Sequence, residues 1–187
     1  MPTTTTDPAT LDDLYGVEGK AELVAGRIVR YEHQGFLANR WGLELAPSLQ
    51  GHAASIDSGV VMPRSLIYAL HPPLRSGRAS ISPDISFYRG PRPADSMGPI
   101  VGPPTFAVEI RERRDHGPGV VLDRQQKRAD YFEAGTAVVW DVDPEARVIR
   151  SYRGDPATPV ATFHPGDAAD AEPAVPGWRV AVADLFQ

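Results

Sequence analysis

Ser82-Pro83-Asp84-Ile85-Ser86-Phe87, Phe106-Ala107-Val108-Glu109-Ile110-Arg111, the segment from Val120 to Ala134 that carries Lys127, and Thr136-Ala137-Val138-Val139-Trp140 decide the fold. The first, second and fourth read as strands, the third as a helix closed by Gly135. In the second, Phe106 and Val108 fall on one face and Ala107 and Glu109 on the other, the period-two alternation of a strand. The fourth is apolar throughout, as in a buried central strand. Pro83 removes one ladder donor, so the strand from Ala79 to Tyr88 is expected at an edge or bulged there. Leu122, Ala129 and Phe132 mark the expected buried side of the helix. These pieces are expected to bring Asp84, Glu109 and Lys127 to one place.

Downstream, Asp143-Pro144-Glu145 turns into a partner strand, Arg147 to Tyr152. Short strands are expected from Thr158 to Phe163 and near Arg179-Val180, with a helical turn over Val182 to Phe186. Upstream, Ala9 to Tyr15 reads as a short helix with Thr10 as its N-cap. Lys20 to Val24 and Arg27 to Tyr31 form a hairpin turned at Ala25-Gly26. Leu37, Trp41 and Leu45 recur at a spacing of four, which predicts a helix from His33 to about Ala46, ended by Pro47. Strands are expected from about Ala53 to Val61 and from Ser65 to Leu70. Arg89 to Pro104 reads as a long Pro/Gly-rich loop. The order of elements implies an α/β fold with one mixed sheet and helices packed on it.

A chain of 187 residues is long enough for one sizeable core. We expect a disordered tail over residues 1–8 and a single domain over 9–187. The start of the chain lacks the basic and apolar stretches of a signal peptide, and no run of about 18 apolar residues suggests a membrane span. There is no cysteine, which excludes a disulfide framework and Cys-ligated zinc and suits a reducing cytoplasm. The net charge of −5 argues against tight, non-specific binding to DNA. Basic clusters nevertheless flank the central residues: Arg111, Arg113 and Arg114, then Arg124, Lys127 and Arg128.

Two carboxylates near an ammonium suit a hard divalent cation, Mg²⁺ or Mn²⁺, and a water that attacks phosphate. Asp84 and Glu109 supply the carboxylates, and the Ile110 carbonyl a further oxygen. Lys127 can orient the water or stabilise charge on the phosphate. A plainer alternative stands beside this one. Glu109 can sit at an exposed strand end, paired with Arg111 or with an arginine of the next helix, and spacing alone favours that reading. Likewise Glu22 can simply pair with Lys20 or Arg27, Lys127 can be a solvated helix lysine, and Tyr131, Trp41 and Trp140 can be core.

Ser82-Pro83-Asp84-Ile85-Ser86-Phe87 and Phe106-Ala107-Val108-Glu109-Ile110, with Lys127-Arg128-Ala129-Asp130-Tyr131-Phe132-Glu133-Ala134-Gly135 and Val138-Val139-Trp140-Asp141-Val142-Asp143-Pro144, resemble the Uma-two family of restriction-endonuclease-like proteins. That family lies within the PD-(D/E)xK nuclease superfamily. Ala21-Glu22-Leu23-Val24-Ala25-Gly26-Arg27-Ile28-Val29 resembles its opening hairpin, and Pro176-Gly177-Trp178-Arg179-Val180 with Asp184-Leu185-Phe186 resembles its end. The resemblance implies a restriction-endonuclease-like mixed sheet flanked by helices, with additional N- and C-terminal hairpins. It also implies metal-dependent hydrolysis of DNA phosphodiesters.

Asp84 and Glu109 match the family's metal-binding carboxylates and Lys127 the lysine on its next helix. Glu22 matches an acidic residue close to the same site, where the resemblance makes it a further metal ligand, and His33 a histidine entering the first helix. The superfamily's lysine two residues after the glutamate is here Arg111, which stays protonated and can stabilise phosphate charge but not act as a base. Arg111-Glu112-Arg113-Arg114-Asp115-His116-Gly117-Pro118-Gly119 replaces the family's short serine–proline turn. Two competing classes follow: a catalytically weakened domain serving as a binding or assembly module, and a small-ligand enzyme using the carboxylates without metal. Cutting both strands of a duplex would be easiest for a homodimer.

Overall fold

The computed structural model describes residues 7–31, 35–64, 66–93, 95–112, 115 and 118–186. The expected tail is therefore mostly outside the described residues, as are His33, Arg113, Arg114 and His116.

The chain opens with α1 (Leu11–Tyr15), where Thr10 and Asp13 form a reciprocal capping box. The hairpin follows as β1 (Ala21–Val24) and β2 (Arg27–Arg30). Its two-residue turn holds Ala25 and Gly26 at positive φ, the turn whose twist suits paired strands. Then come α2 (Phe36–Ser55), β3 (Val60–Pro63), β4 (Tyr68–Ala69), β5 (Ser80–Ile81), β6 (Ile85–Tyr88), β7 (Ile100–Val101) and β8 (Phe106–Ile110). The chain continues through α3 (Pro118–Ala134), β9 (Val138–Asp143), β10 (Val148–Tyr152), β11 (Ala161–Phe163), β12 (Ala168–Asp170) and β13 (Arg179–Ala181), and ends in a 3₁₀ turn over Val182–Phe186.

Six strands form the central sheet in the order β11-β10-β9-β8-β6-β3. β8 and β9 run parallel, with α3 as their connection, and the other neighbours are antiparallel. One face of this sheet carries Ile85, Phe87, Phe106, Val108, Val138, Trp140 and Ile149. Against it pack Trp41, Leu45 and Leu49 of α2, together with Trp178 and Leu185 from the end of the chain. Trp41 and Trp140 are core residues, as expected. The opposite face carries Ala107 and Val139 and meets Tyr131 of α3 and the small sheet β5-β4-β7. The mixed α/β architecture, with its additional hairpins, matches the expectation.

Four local expectations need correction. Helix α2 runs through Pro47 to Ser55, so residues Ala53 to Ser55 are helix and the following strand begins at Val60. An interior proline costs about 3 kcal/mol. Leu49 and Ala53, both fully buried on the sheet, offset it, since burying one leucine is worth about 1.5–3 kcal/mol. Pro83 marks neither an edge nor a bulge in one strand. The chain changes sheets there, from β5 to β6, and β6 lies inside the six-stranded sheet between β3 and β8. The supposed loop from Arg89 to Pro104 contains β7, which adds a parallel strand to β4 and makes a second sheet where one was expected. Finally, Leu122 is 67% exposed, because the inner face of α3 is charged.

Candidate active site

Strand register brings the two candidate carboxylates together. Ile85 pairs with Val108 across β6 and β8, so Asp84, one residue earlier, lies beside Glu109, one residue later. Asp84 and Glu109 share the sheet face that meets α3. The Asp84 N–H donates to the Val108 carbonyl at 3.0 Å, and the Ile110 N–H donates to Asp84 Oδ2 at 2.8 Å. In an extended strand the N–H and C=O of one residue point to the same side. The Ile110 carbonyl therefore faces the strand that carries Asp84.

Three cations thread these carboxylates together. Lys20 Nζ lies 2.8 Å from Asp84 Oδ1 and 3.4 Å from Glu109 Oε2. Lys127 Nζ lies 2.8 Å from Glu109 Oε1 and 3.0 Å from Glu22 Oε1. Arg78 binds Glu22 Oε2 through Nη1 and Asp130 Oδ2 through Nε, the latter at 2.6 Å. Hydroxyls complete the shell: Tyr131 donates to Glu109 Oε1 and Tyr31 to Glu22 Oε2, each at 2.5 Å. The Ser82 N–H, freed by the change of sheets, donates to Glu22 Oε1 at 2.9 Å. Arg64 Nη1 stands at the rim, 3.7 Å from Asp84 Oδ1.

Glu22 is wholly inaccessible to solvent, and Lys20, Asp84, Glu109 and Arg78 are buried. Buried charges of this kind persist only when paired. Burial pushes the Glu109 carboxyl up, but Lys127 and Lys20 outweigh it and hold the group well below the ordinary carboxylate range. Burial pushes the Lys127 ammonium down, and Glu109 and Glu22 reverse this, so it stays protonated at neutral pH.

A second cluster adjoins the first. Asp141 pairs with Glu109 across the parallel β8–β9 ladder. Arg111 grips it with two bonds, Nε to Oδ1 at 2.7 Å and Nη2 to Oδ2 at 3.1 Å. Arg124 Nη2 reaches Oδ1 at 3.0 Å and Arg128 Nη1 reaches Oδ2 at 3.0 Å. Arg128 also donates to the Pro156 carbonyl at 2.7 Å and lies over the Tyr152 ring. Asp141 thus ties two turns of α3 to the sheet and fixes the height at which Lys127 meets Glu109. A small cavity lies between the clusters, lined by Glu109, Lys127, Tyr131, Arg124 and Arg128 among others.

The expected residues divide accordingly. Asp84, Glu109, Lys127 and Ile110 meet, and Glu22 joins them through Lys127. Arg111 lies on the same face but turns its guanidinium to Asp141 and, at 3.7 Å, to Asp143. Tyr131 serves both core and site. Sequence reasoning passed over Lys20, Arg78, Tyr31, Asp130 and Asp141. For Lys20 a signal exists: it alternates with Ala21, Glu22 and Leu23, so two charges share one face of an otherwise apolar strand. Asp141, a charge inside the fully buried strand β9, carries the same signal as Glu109. Nothing local marks Arg78.

A family model described as putative restriction endonuclease, Uma2, matches residues 8–183. The chain belongs to the Uma2 family. No curated protein matches this Uma2 chain. Among solved structures it is similar to a putative nuclease belonging to DUF820 from Anabaena variabilis, with a TM-score of 0.70 at 19% identity. That match covers 96% of this chain and 98% of the other. At that identity the likeness speaks to the fold alone. No helix among the described residues is long and apolar enough to cross a membrane.

Proposed function

We propose that this protein is a metal-dependent endonuclease that hydrolyses phosphodiester bonds in DNA, acting in the cytoplasm. The observation that carries the reading is that Asp84 Oδ1 and Glu109 Oε2 converge on a single cationic atom, at 2.8 and 3.4 Å. Two carboxylate oxygens aimed at one point are donors of the kind Mg²⁺ or Mn²⁺ takes, and the Ile110 carbonyl would supply a further oxygen. Among the described residues no group of three or more Asp, Glu, His or Cys side chains is placed to hold a metal, so the two carboxylates would act with a backbone oxygen and waters. Asp84, Glu109 and Ile110 would hold the ion. When bound, it would polarise a phosphoryl oxygen and acidify a water.

The protein's own groups do the rest. Lys127, protonated between Glu109 and Glu22, donates to the incoming water or to the phosphate oxygen on which charge develops. It is a donor and not a base. Glu22, whose two oxygens are filled by Lys127, Arg78, Tyr31 and the Ser82 N–H, orients Lys127 instead of joining Asp84 on one cation. Arg111, Arg124 and Arg128 add positive potential beside the cavity, which suits a phosphate backbone in an otherwise acidic protein. A symmetric pair of chains would present one such site to each strand of a duplex.

A second reading has an observation in its favour. Lys20 already fills the cation position, and Arg111 is committed to Asp141, as in a nuclease fold retained as a binding or assembly module. Supercoiled plasmid separates the two. The enzyme nicks it with Mn²⁺ or Mg²⁺, stops on addition of chelator, and is silent as Glu109→Gln. Cleavage that survives unchanged in Glu109→Gln would eliminate the enzyme as drawn, and binding of DNA without cleavage in either metal would favour the module.

A further inference from the structure

Lys20 has no task in the mechanism above, yet it occupies the point on which the mechanism depends. Asp84 uses Oδ2 to accept the Ile110 N–H, and Glu109 uses Oε1 to accept Tyr131 and to meet Lys127. The remaining oxygens, Asp84 Oδ1 and Glu109 Oε2, are the two that meet the Lys20 ammonium. They carry the fewest of the protein's other short hydrogen bonds, so a cation held by both carboxylates is expected to use them. The Lys20 side chain is only 3% exposed and lies over the Tyr31 ring, 5.2 Å from its centre. Its ammonium and a divalent ion compete for one place, and at such separations two cations repel strongly in a buried site.

Means of retreat lie next to it. Lys20 follows Glu18 and Gly19, an exposed bend, and Gly19 has positive φ with open space around its Cα. Four methylenes let the ammonium swing outward without moving β1.

We propose that Lys20 is a tethered competitor for the divalent ion: it holds the two carboxylates in the resting protein and is expelled when the ion binds. This rests on the reading that Asp84 and Glu109 are the ion's ligands. It means that the wild-type site is tuned to weak metal binding, and that the expelled ammonium becomes available to a phosphodiester at the mouth of the site.

Mn²⁺ binding without DNA, followed by the electron paramagnetic resonance of free Mn²⁺, tests the idea on wild type, Lys20→Met and Glu109→Gln. Lys20→Met is expected to bind Mn²⁺ at least about tenfold more tightly than wild type, and Mn²⁺ is expected to raise its melting temperature more. Equal or weaker binding by Lys20→Met, with wild-type binding still lost in Glu109→Gln, overturns the competitor and leaves the metal site standing. Absence of binding in both wild type and Lys20→Met overturns both. Reductive methylation of the wild-type protein, read by mass spectrometry, needs no variant to fold. Lys20 is expected to be protected without metal and labelled at saturating Mn²⁺, while Lys127 stays protected in both. Protection of Lys20 at saturating Mn²⁺ overturns the proposal.

Discussion

Between Glu109 and Glu22, the Lys127 ammonium has a carboxylate oxygen 2.8 Å away on one side and 3.0 Å on the other. Lys127→Met is expected to lower kcat for Mn²⁺-dependent nicking by about 10²–10³-fold, the usual loss when one donor to developing charge is removed. Mn²⁺ binding is expected to persist, because Asp84 and Glu109 remain. Loss of metal binding along with kcat would make Lys127 a structural strut instead. Asp141 offers a different outcome. It satisfies three arginines at once, so Asp141→Asn leaves buried guanidinium charge poorly compensated and is expected to cost about 3–5 kcal/mol in urea unfolding. Asp84, Glu109 and Lys127 were legible through the family resemblance, which outweighed the plainer pairing that spacing alone favours; Glu109 carried one further signal, a charge inside an apolar strand. Lys20 and Arg78 were not, because their roles depend on partners 52 to 89 residues distant.

At the scale of elements, α3 shows where periodicity misleads. The apolar template assumes that the hydrophobic face is the buried one. Here Arg124, Lys127 and Arg128 turn inward because the facing sheet presents Glu109 and Asp141, while Leu122 faces out. The reading of α2 failed for a related reason, since local propensity at Pro47 yields to burial of Leu49 and Ala53. The strands were read more accurately: alternation in Phe106–Ile110 and the apolar run into Val138–Asp143 both follow from the two covered faces of one sheet. The link from α2 to β3 supplies an independent check. Gly59 has φ +76°, and a Cβ there would run into the Phe87 ring. Gly59→Ala is expected to cost about 2–4 kcal/mol, from left-handed strain plus overpacking. A change below about 0.5 kcal/mol, the range of neutral surface substitutions, would contradict this packing of α2's exit against β6.

Across the whole molecule, charge is the organising quantity. Glu22, Asp84, Glu109 and Asp130 are met by Lys20, Arg78, Lys127 and Arg64, so the site is balanced although the protein carries −5. That balance sets a pH window. Burial pushes the Glu22 and Asp141 carboxyls up, but Lys127 and Arg78 on one, and Arg124 and Arg111 on the other, hold both below the ordinary range. With folded values below the unfolded ones of about 4, their contribution to stability is complete above about pH 5 and is lost as pH falls. Lys127 behaves in the opposite sense: held above its usual value, it contributes fully below about pH 10 and loses that contribution as pH rises further. Melting temperature is therefore expected to be flat between these limits and to fall on both sides. In Asp141→Asn the acid limb is expected to be shallower. An unchanged acid limb would show that the Asp141 network adds nothing to the linkage.

A crystal grown with Mn²⁺ and measured at an energy where manganese scatters anomalously would locate the ion relative to Asp84, Glu109 and Lys20. One anomalous peak is expected between the Asp84 and Glu109 carboxylates, with the Lys20 ammonium displaced from them. No peak there at saturating Mn²⁺, with Lys20 still bridging the two carboxylates, would contradict the proposed metal site.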